Sequence, residues 1–238
     1  RALTSSRPRR RRAASPEAVA TEDVPTPGPG VPVPGREGLL TGADGLVRCW
    51  WADAPPDYTA YHDREWGLPV HGEAALYERI SLEAFQSGLS WLTILRKRES
   101  FRRAFAGFDP EAVARFDRAD VERLLADPGI VRNRRKIAAT IANAAAVLSL
   151  RDSVEGGLDT LVWSFAPATW PVPRTPADLR SSSPEAVALA KELRRRGFVF
   201  VGPTTAQSAL QACGLVDDHL EGCYARGSCR RPPVSPVP

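Results

Sequence analysis

The chain has 238 residues, a length that suggests one compact domain plus extras or two small lobes, and its 43% hydrophobic and 25% charged residues are those of a soluble globular protein. A core of this size needs no disulfide scaffold, and the four cysteines are too sparse for a small secreted domain. The net charge is only +4, so affinity for a polyanion has to come from local basic clusters rather than from global charge.

Arg1 to Asp44 holds seven arginines against five acids, with a run at Arg9–Arg12 and a Pro/Gly/Val tract from Pro25 to Gly35. It has little to bury, so residues 1–45 are expected to be a disordered extension. The arginine run reads as a solvated tail or, less simply, as a non-specific DNA tether. No stretch of eighteen apolar residues occurs and no apolar segment follows the leading arginines, which predicts neither a membrane span nor a secretory signal. The expected location is intracellular and reducing, the cytoplasm. The chain contains no methionine, so its natural start is expected upstream of Arg1 or trimmed.

Residues 46–225 read as helices joined by short turns punctuated by Gly and Pro, with a short apolar run at Phe198–Val201 as the one extended candidate. Ala74–Ser87 places Leu76, Ile80, Glu83 and Ala84 on one helical face, and Gly88 supplies a stop. Ser90 is a natural N-cap for the next helix, through Trp91, Ile94 and Leu95. Val121–Ala126, a turn at Asp127–Val131 and a helix from about Val131 to Leu148 form a helical hairpin. Residues 226–238 are expected to be a flexible tail.

Four constellations carry chemistry. Glu83 is a carboxylate on an apolar stripe, which is costly unless paired or used. It is either a functional acid or a structural one bonded to a cation or to backbone amides, and periodicity does not choose. Trp50, Trp51, Tyr58, Tyr61, Trp66 and Trp91 lie close to it in sequence. Such rings suit an extruded base, a cationic one above all, or simply a Trp-rich core. Trp91, at a helix start just after a break, is placed to project into a cleft.

Cys49-x12-His62 and His219-x3-Cys223 offer two ligand pairs for a tetrahedral Cys₂His₂ zinc, with the second spacing matching one helical turn. The wide gap between the pairs leaves unrelated cysteines and surface histidines as the alternative. Cys213 is expected in the core, and Cys229 is a tail thiol open as a substitute ligand. The hairpin turn, with Gly129 and Val131, feeds a basic helix start at Arg132, Arg134, Arg135 and Lys136. Backbone N–H groups and positive charge there suit a DNA phosphate, although an ordinary basic surface helix looks the same.

Across residues 47–223 the sequence resembles bacterial 3-methyladenine DNA glycosylase I, in the helix-hairpin-helix superfamily. The blocks that carry the resemblance include RCWWADAPPDYTAYHDREWGLP (48–69), LYERISLEAFQSGLSWLTILRKRESFRRAF (76–105), DPGIVRNRRKIAATIANA (127–144) and QACGLVDDH (211–219). It implies an all-α helix-hairpin-helix DNA glycosylase fold, with the hairpin at about 119–148 and one structural zinc per chain joining the two ends of the domain. The implied zinc ligands are Cys49, His62, His219 and Cys223. The implied base-pocket residues are Glu83, Tyr61 and Trp91, with Trp51 nearby. Trp91 would stack on the cationic ring, while Glu83, carrying the catalytic discrimination, and Tyr61 would bond its polar edge. The implied partner is double-stranded DNA with alkylated bases, bound by a monomer.

The resemblance also implies a monofunctional hydrolase, since Lys97, Lys136 and Lys191 lie outside the pocket motifs. The chain departs from the family pattern in its N-terminal extension, at Pro203, at Gln207 and Ala209 where aromatic residues are frequent, and in its Pro-rich tail. Two other readings remain: a zinc-stabilised DNA-binding module without excision, and a glycosylase of shifted lesion preference.

Overall fold

The computed structural model describes residues 30–53 and 55–227. The arginine run, Cys229 and most of the expected tail lie outside the described residues. Helices dominate: α1 (Pro56–Arg64), α2 (Glu73–Gln86), α3 (Trp91–Ala104), α4 (Pro110–Ala114), α5 (Arg118–Ala126), α6 (Arg134–Arg151), α7 (Gly157–Trp163), α8 (Pro184–Arg195) and α9 (Pro203–Ala212). No described helix is long and apolar enough to cross a membrane.

The all-α expectation needs one correction. Strands β1 (Val31–Pro32), β2 (Leu39–Thr41) and β3 (Val47–Cys49) form a small antiparallel sheet, with Leu39 opposite Cys49. Order therefore begins inside the segment expected to be disordered. Strands of two or three residues leave no alternation to read, and their stability is tertiary. Leu39 and Cys49 pack with Leu220, Cys223 and Ala225 in a second, small core that joins the start of the domain to its end. The apolar run at Phe198–Val201, the extended candidate, is an irregular linker between α8 and α9.

The main core wraps around α2, with Leu76, Tyr77, Ile80 and Phe85 packed among Phe101, Phe105, Ile137, Val147 and Leu210. Helix starts follow local chemistry. Ser90 caps α3 by accepting from the Thr93 N–H at 3.3 Å. Asp117 and Asp120 form a reciprocal capping box on α5. Asn133 caps α6, accepting from the amides of Arg135 and Lys136, so that helix begins at Arg134, three residues after the expected start at about Val131. Pro203 takes the first position of α9, where a missing N–H costs nothing.

Two glycines matter to the site. Gly88 (φ +81°) stops α2 and frees Ser90 to start α3. Gly214 (φ +73°) ends α9 so tightly that a Cβ there would lie 2.6 Å from the backbone of Leu68. That turn sends residues 215–223 back toward α1.

Candidate active site and metal cluster

α1, α2, α3 and α9 enclose a recess of about 350 Å³ lined by Tyr61, Glu83, Trp91 and Trp51, with Trp50, Tyr58, Trp66, Gln86, Ser208 and Gln211. The four residues expected at a base pocket thus line one recess. Each arrives from a different cause. Tyr61 is the buried face of α1. Glu83 rides on the apolar stripe of α2. Trp91 opens α3 straight after the Gly88 break. Trp51 stands in a short 3₁₀ turn after β3.

The rings interlock. Tyr61 and Trp91 lie 5.3 Å apart at 44°, and Trp51 stands edge-on to Trp66 at 5.0 Å. The Tyr58 hydroxyl accepts from the Leu92 N–H at 3.1 Å, tying α1 to the start of α3. The Trp91 indole N–H is buried with no partner among the described residues.

Glu83 is 6% exposed. Burial pushes its carboxyl up to about 8, and only the charge of Arg79 opposes this. No hydrogen bond contributes to either effect. An acid desolvated without a partner is a costly arrangement, and it faces a cavity. Tyr61 is likewise pushed up, first by burial and then by the neighbouring Glu83. Gln86, Ser208 and Gln211 also line the recess, and nothing in the sequence marks Gln86 for it. The i, i+3 spacing of Ser208 and Gln211 on α9 is their only signal.

Behind the recess, one ligand atom each from Cys49, His62 and Cys223 lie within 4.8 Å of one another, all buried, and this group could hold a metal ion. His219 stands beside them, its ring centroid 5.0 Å from that of His62. Its Nε2 is buried without a partner among the described residues. Both imidazoles are oriented from behind. His62 Nδ1 meets the Asp63 carboxylate at 2.8 Å, and His219 Nδ1 meets Asp217 at 3.0 Å. A carboxylate accepts, so each Nδ1 donates to its aspartate and each Nε2 is left as the atom for a ligand role. Asp217 stays below the usual carboxylate range because its bonds from His219 and Gly227 outweigh its burial. Cys49, His62 and Cys223 are donor types that suit a metal ion, and His219, although adjacent, lies outside that three-residue group. One detail differs from expectation: His219 and Cys223 sit on a turn, closed by the Cys223 N–H on the Leu220 carbonyl at 2.9 Å, not on a helix.

The hairpin is present as α5, a turn and α6. Gly129 gives its N–H to Asp127 at 2.7 Å, and Val131 packs partly against the core. Arg132 and Arg135 are exposed, and Arg134 pairs with Glu122 at 2.9 Å. Lys136 corrects the expectation of a phosphate contact. Its side chain turns inward, and Nζ donates to the carbonyls of Phe85 at 2.8 Å and Ser87 at 2.6 Å. With both carbonyls satisfied and the residue only 6% exposed, it closes the end of α2 instead.

The family model for methyladenine glycosylase matches residues 51–226, which include every residue of the recess lining but Trp50 and three of the four metal-ligand candidates. The chain belongs to the methyladenine glycosylase family. Among similar members are DNA-3-methyladenine glycosylase 1 of Escherichia coli, 47% identical over 75% of this chain and 96% of that protein, and DNA-3-methyladenine glycosylase of Haemophilus influenzae, 41% identical over 76% and 99%. A crystal structure of 3-methyladenine DNA glycosylase I superposes with a TM-score of 0.72 at 45% identity, over 75% of this chain and 99% of that one. A structure described as the basis of 3-methyladenine recognition by the Staphylococcus aureus enzyme gives 0.69 at 36% identity, over 72% and 92%. The mostly helical arrangement is therefore that of this glycosylase family.

Proposed function

We propose that this chain is a DNA repair N-glycosylase that extrudes 3-methyladenine from alkylated double-stranded DNA and hydrolyses its C1′–N9 bond. The observation that carries this reading is the buried Glu83 carboxyl, without a hydrogen-bond partner among the described residues, in an aromatic recess beside Tyr61 and Trp91. The family's members, named for the same activity, support it.

The chemistry follows from charge. Adenine methylated at N3 in DNA is cationic and already a good leaving group. As the C1′–N9 bond breaks, its electron pair passes to the base and cancels that charge. A water oxygen bonds to C1′ and its proton is released. The protein has only to extrude, recognise and hold the base. Trp91 stacks on the cationic ring, and Glu83 and Tyr61 bond its polar edge. With no cationic base beside it, Glu83 keeps its proton near neutral pH. A cation beside it favours the ionised form, so the site attracts a charged base and leaves neutral adenine with a desolvated acid. No side chain is assigned to the sugar cation. Lys136 is engaged in structure and Lys97 donates to the Pro128 carbonyl at 2.8 Å, which supports a monofunctional enzyme without lyase chemistry.

Cys49, His62, His219 and Cys223 hold one structural zinc that clasps the two ends of the domain. It stabilises the wall behind Trp51 and takes no part in the reaction. Gly129, Val131, Arg132 and Arg134 form the hairpin clamp on the DNA backbone. The protein acts as a monomer in the cytoplasm, at the nucleoid. Release of free base from methylated DNA tests the activity: the native chain releases 3-methyladenine and Glu83→Gln releases far less. DNA binding with no base released by the native chain would establish a binding module instead.

A further inference from the structure

Two glutamines line the recess, and both are anchored through nitrogen. Gln86 Nε2 donates to the Leu89 carbonyl at 2.7 Å. Gln211 Nε2 donates to Asp218 Oδ2 at 2.6 Å. Asp218 is only 4% exposed, and its other oxygen accepts from the Trp170 indole N–H at 2.6 Å. An indole N–H only donates and a carboxylate only accepts, so the chain Trp170–Asp218–Gln211 runs in one direction. Asp218 thereby fixes which end of the Gln211 amide is which: NH₂ toward the carboxylate, carbonyl oxygen away from it. Gln211 itself is half-buried and belongs to the recess lining.

We propose that the Gln211 carbonyl oxygen is a specificity determinant that accepts from the exocyclic amine of the bound base, with Asp218 as the residue that positions it. This rests on the excision activity proposed above and names how the same recess separates two substrates. Purines methylated at N3 in DNA are cationic whether derived from adenine or guanine, so charge cannot separate them. They differ at C6, where adenine carries an amine donor and guanine a carbonyl acceptor. An acceptor locked at the recess wall favours the first and leaves two oxygens opposed with the second. Discrimination by a buried polar group left unpaired is worth about tenfold or more.

The test is the ratio of 3-methyladenine to 3-methylguanine released from dimethyl sulfate-treated DNA. Asp218→Asn still accepts from Trp170 through its oxygen but presents NH₂ to Gln211. The Gln211 amide must then turn over and show a donor to the recess. The ratio is expected to fall about tenfold or more in this variant, and to fall less in Gln211→Leu, which removes the acceptor without supplying a donor. A purely structural role would lower both releases together. An unchanged ratio in a folded Asp218→Asn overturns the proposal. Should that variant not fold, an unchanged ratio in Gln211→Leu, which alters neither Asp218 nor the metal cluster, overturns it equally. Absence of 3-methyladenine from the native chain's product would instead refute the excision activity itself.

Discussion

The Lys136 ammonium donates to the Ser87 carbonyl at 2.6 Å, so the second helix of the hairpin is fastened to the end of the helix that carries Glu83. The bond links the region proposed to grip DNA to the region proposed to hold the base. Lys136→Met should leave the Phe85 and Ser87 carbonyls short of a donor and cost about 1–3 kcal/mol. Urea denaturation reads that loss. A phosphate-contacting lysine would instead lower DNA affinity with little change in stability, and that pattern would contradict the structural role.

Glu83 gives a pH signature with a definite sign. Its ordinary value is 4.5 and burial raises it to about 8 in the fold. Between those values the folded chain holds a proton that the unfolded chain has given up. Stability from this group therefore falls as pH rises from about 4.5 to about 8, and levels off above it. The slope approaches about 1.4 kcal/mol per pH unit at most. Glu83→Gln has no such proton to lose. The difference in unfolding free energy between the two proteins, measured from pH 5 to 9, should move in the variant's favour up to about pH 8 and then level off. A flat difference would mean that Glu83 is ionised even with no cationic base beside it.

How much of this was legible in the sequence depends on whether the cause was local. Glu83 shows itself because a charged residue interrupts an apolar stripe, and Trp91 because a glycine break precedes it. Cys49, His62 and Cys223 are legible as ligand types near the two ends of the domain. The sheet at residues 31–49 is not, because Leu39 and Cys49 owe their place to Leu220 and Cys223, far along the chain. Lys136 is not, because a lysine at a helix start looks the same facing water or facing two carbonyls. The sense of the Gln211 amide is invisible in sequence, since it is set by Asp218 and Trp170 acting from another segment.

Zinc should prove to be part of the folding free energy. About one zinc per chain is expected by elemental analysis, and a strong chelator should lower the melting temperature markedly. Cys223→Ser should do the same, because it leaves His62 and Cys49 buried with an incomplete ligand set. His219→Ala distinguishes a fourth ligand from a bystander. As a ligand it should cost both metal content and stability, and retention of full zinc by this variant would remove it from the set.

The hairpin arginines should differ among themselves in a way that charge counting misses. Arg132 and Arg135 are exposed at the start of α6, free to meet a phosphate. Arg134 is held by Glu122 at 2.9 Å, with both side chains more than half exposed. A surface pair of this kind contributes about 0–1 kcal/mol to the fold, so its loss should scarcely touch stability. It does compete with DNA. Arg132→Ala should weaken binding and shrink the slope of log K against log salt by about 0.9, the share of one phosphate contact. Arg134→Ala should change it less. Glu122→Gln releases Arg134 and removes a repelling charge, so DNA affinity at low salt should rise. Affinity measured between 50 and 200 mM salt reads all three variants. A set with equal slopes would place the hairpin away from the DNA backbone.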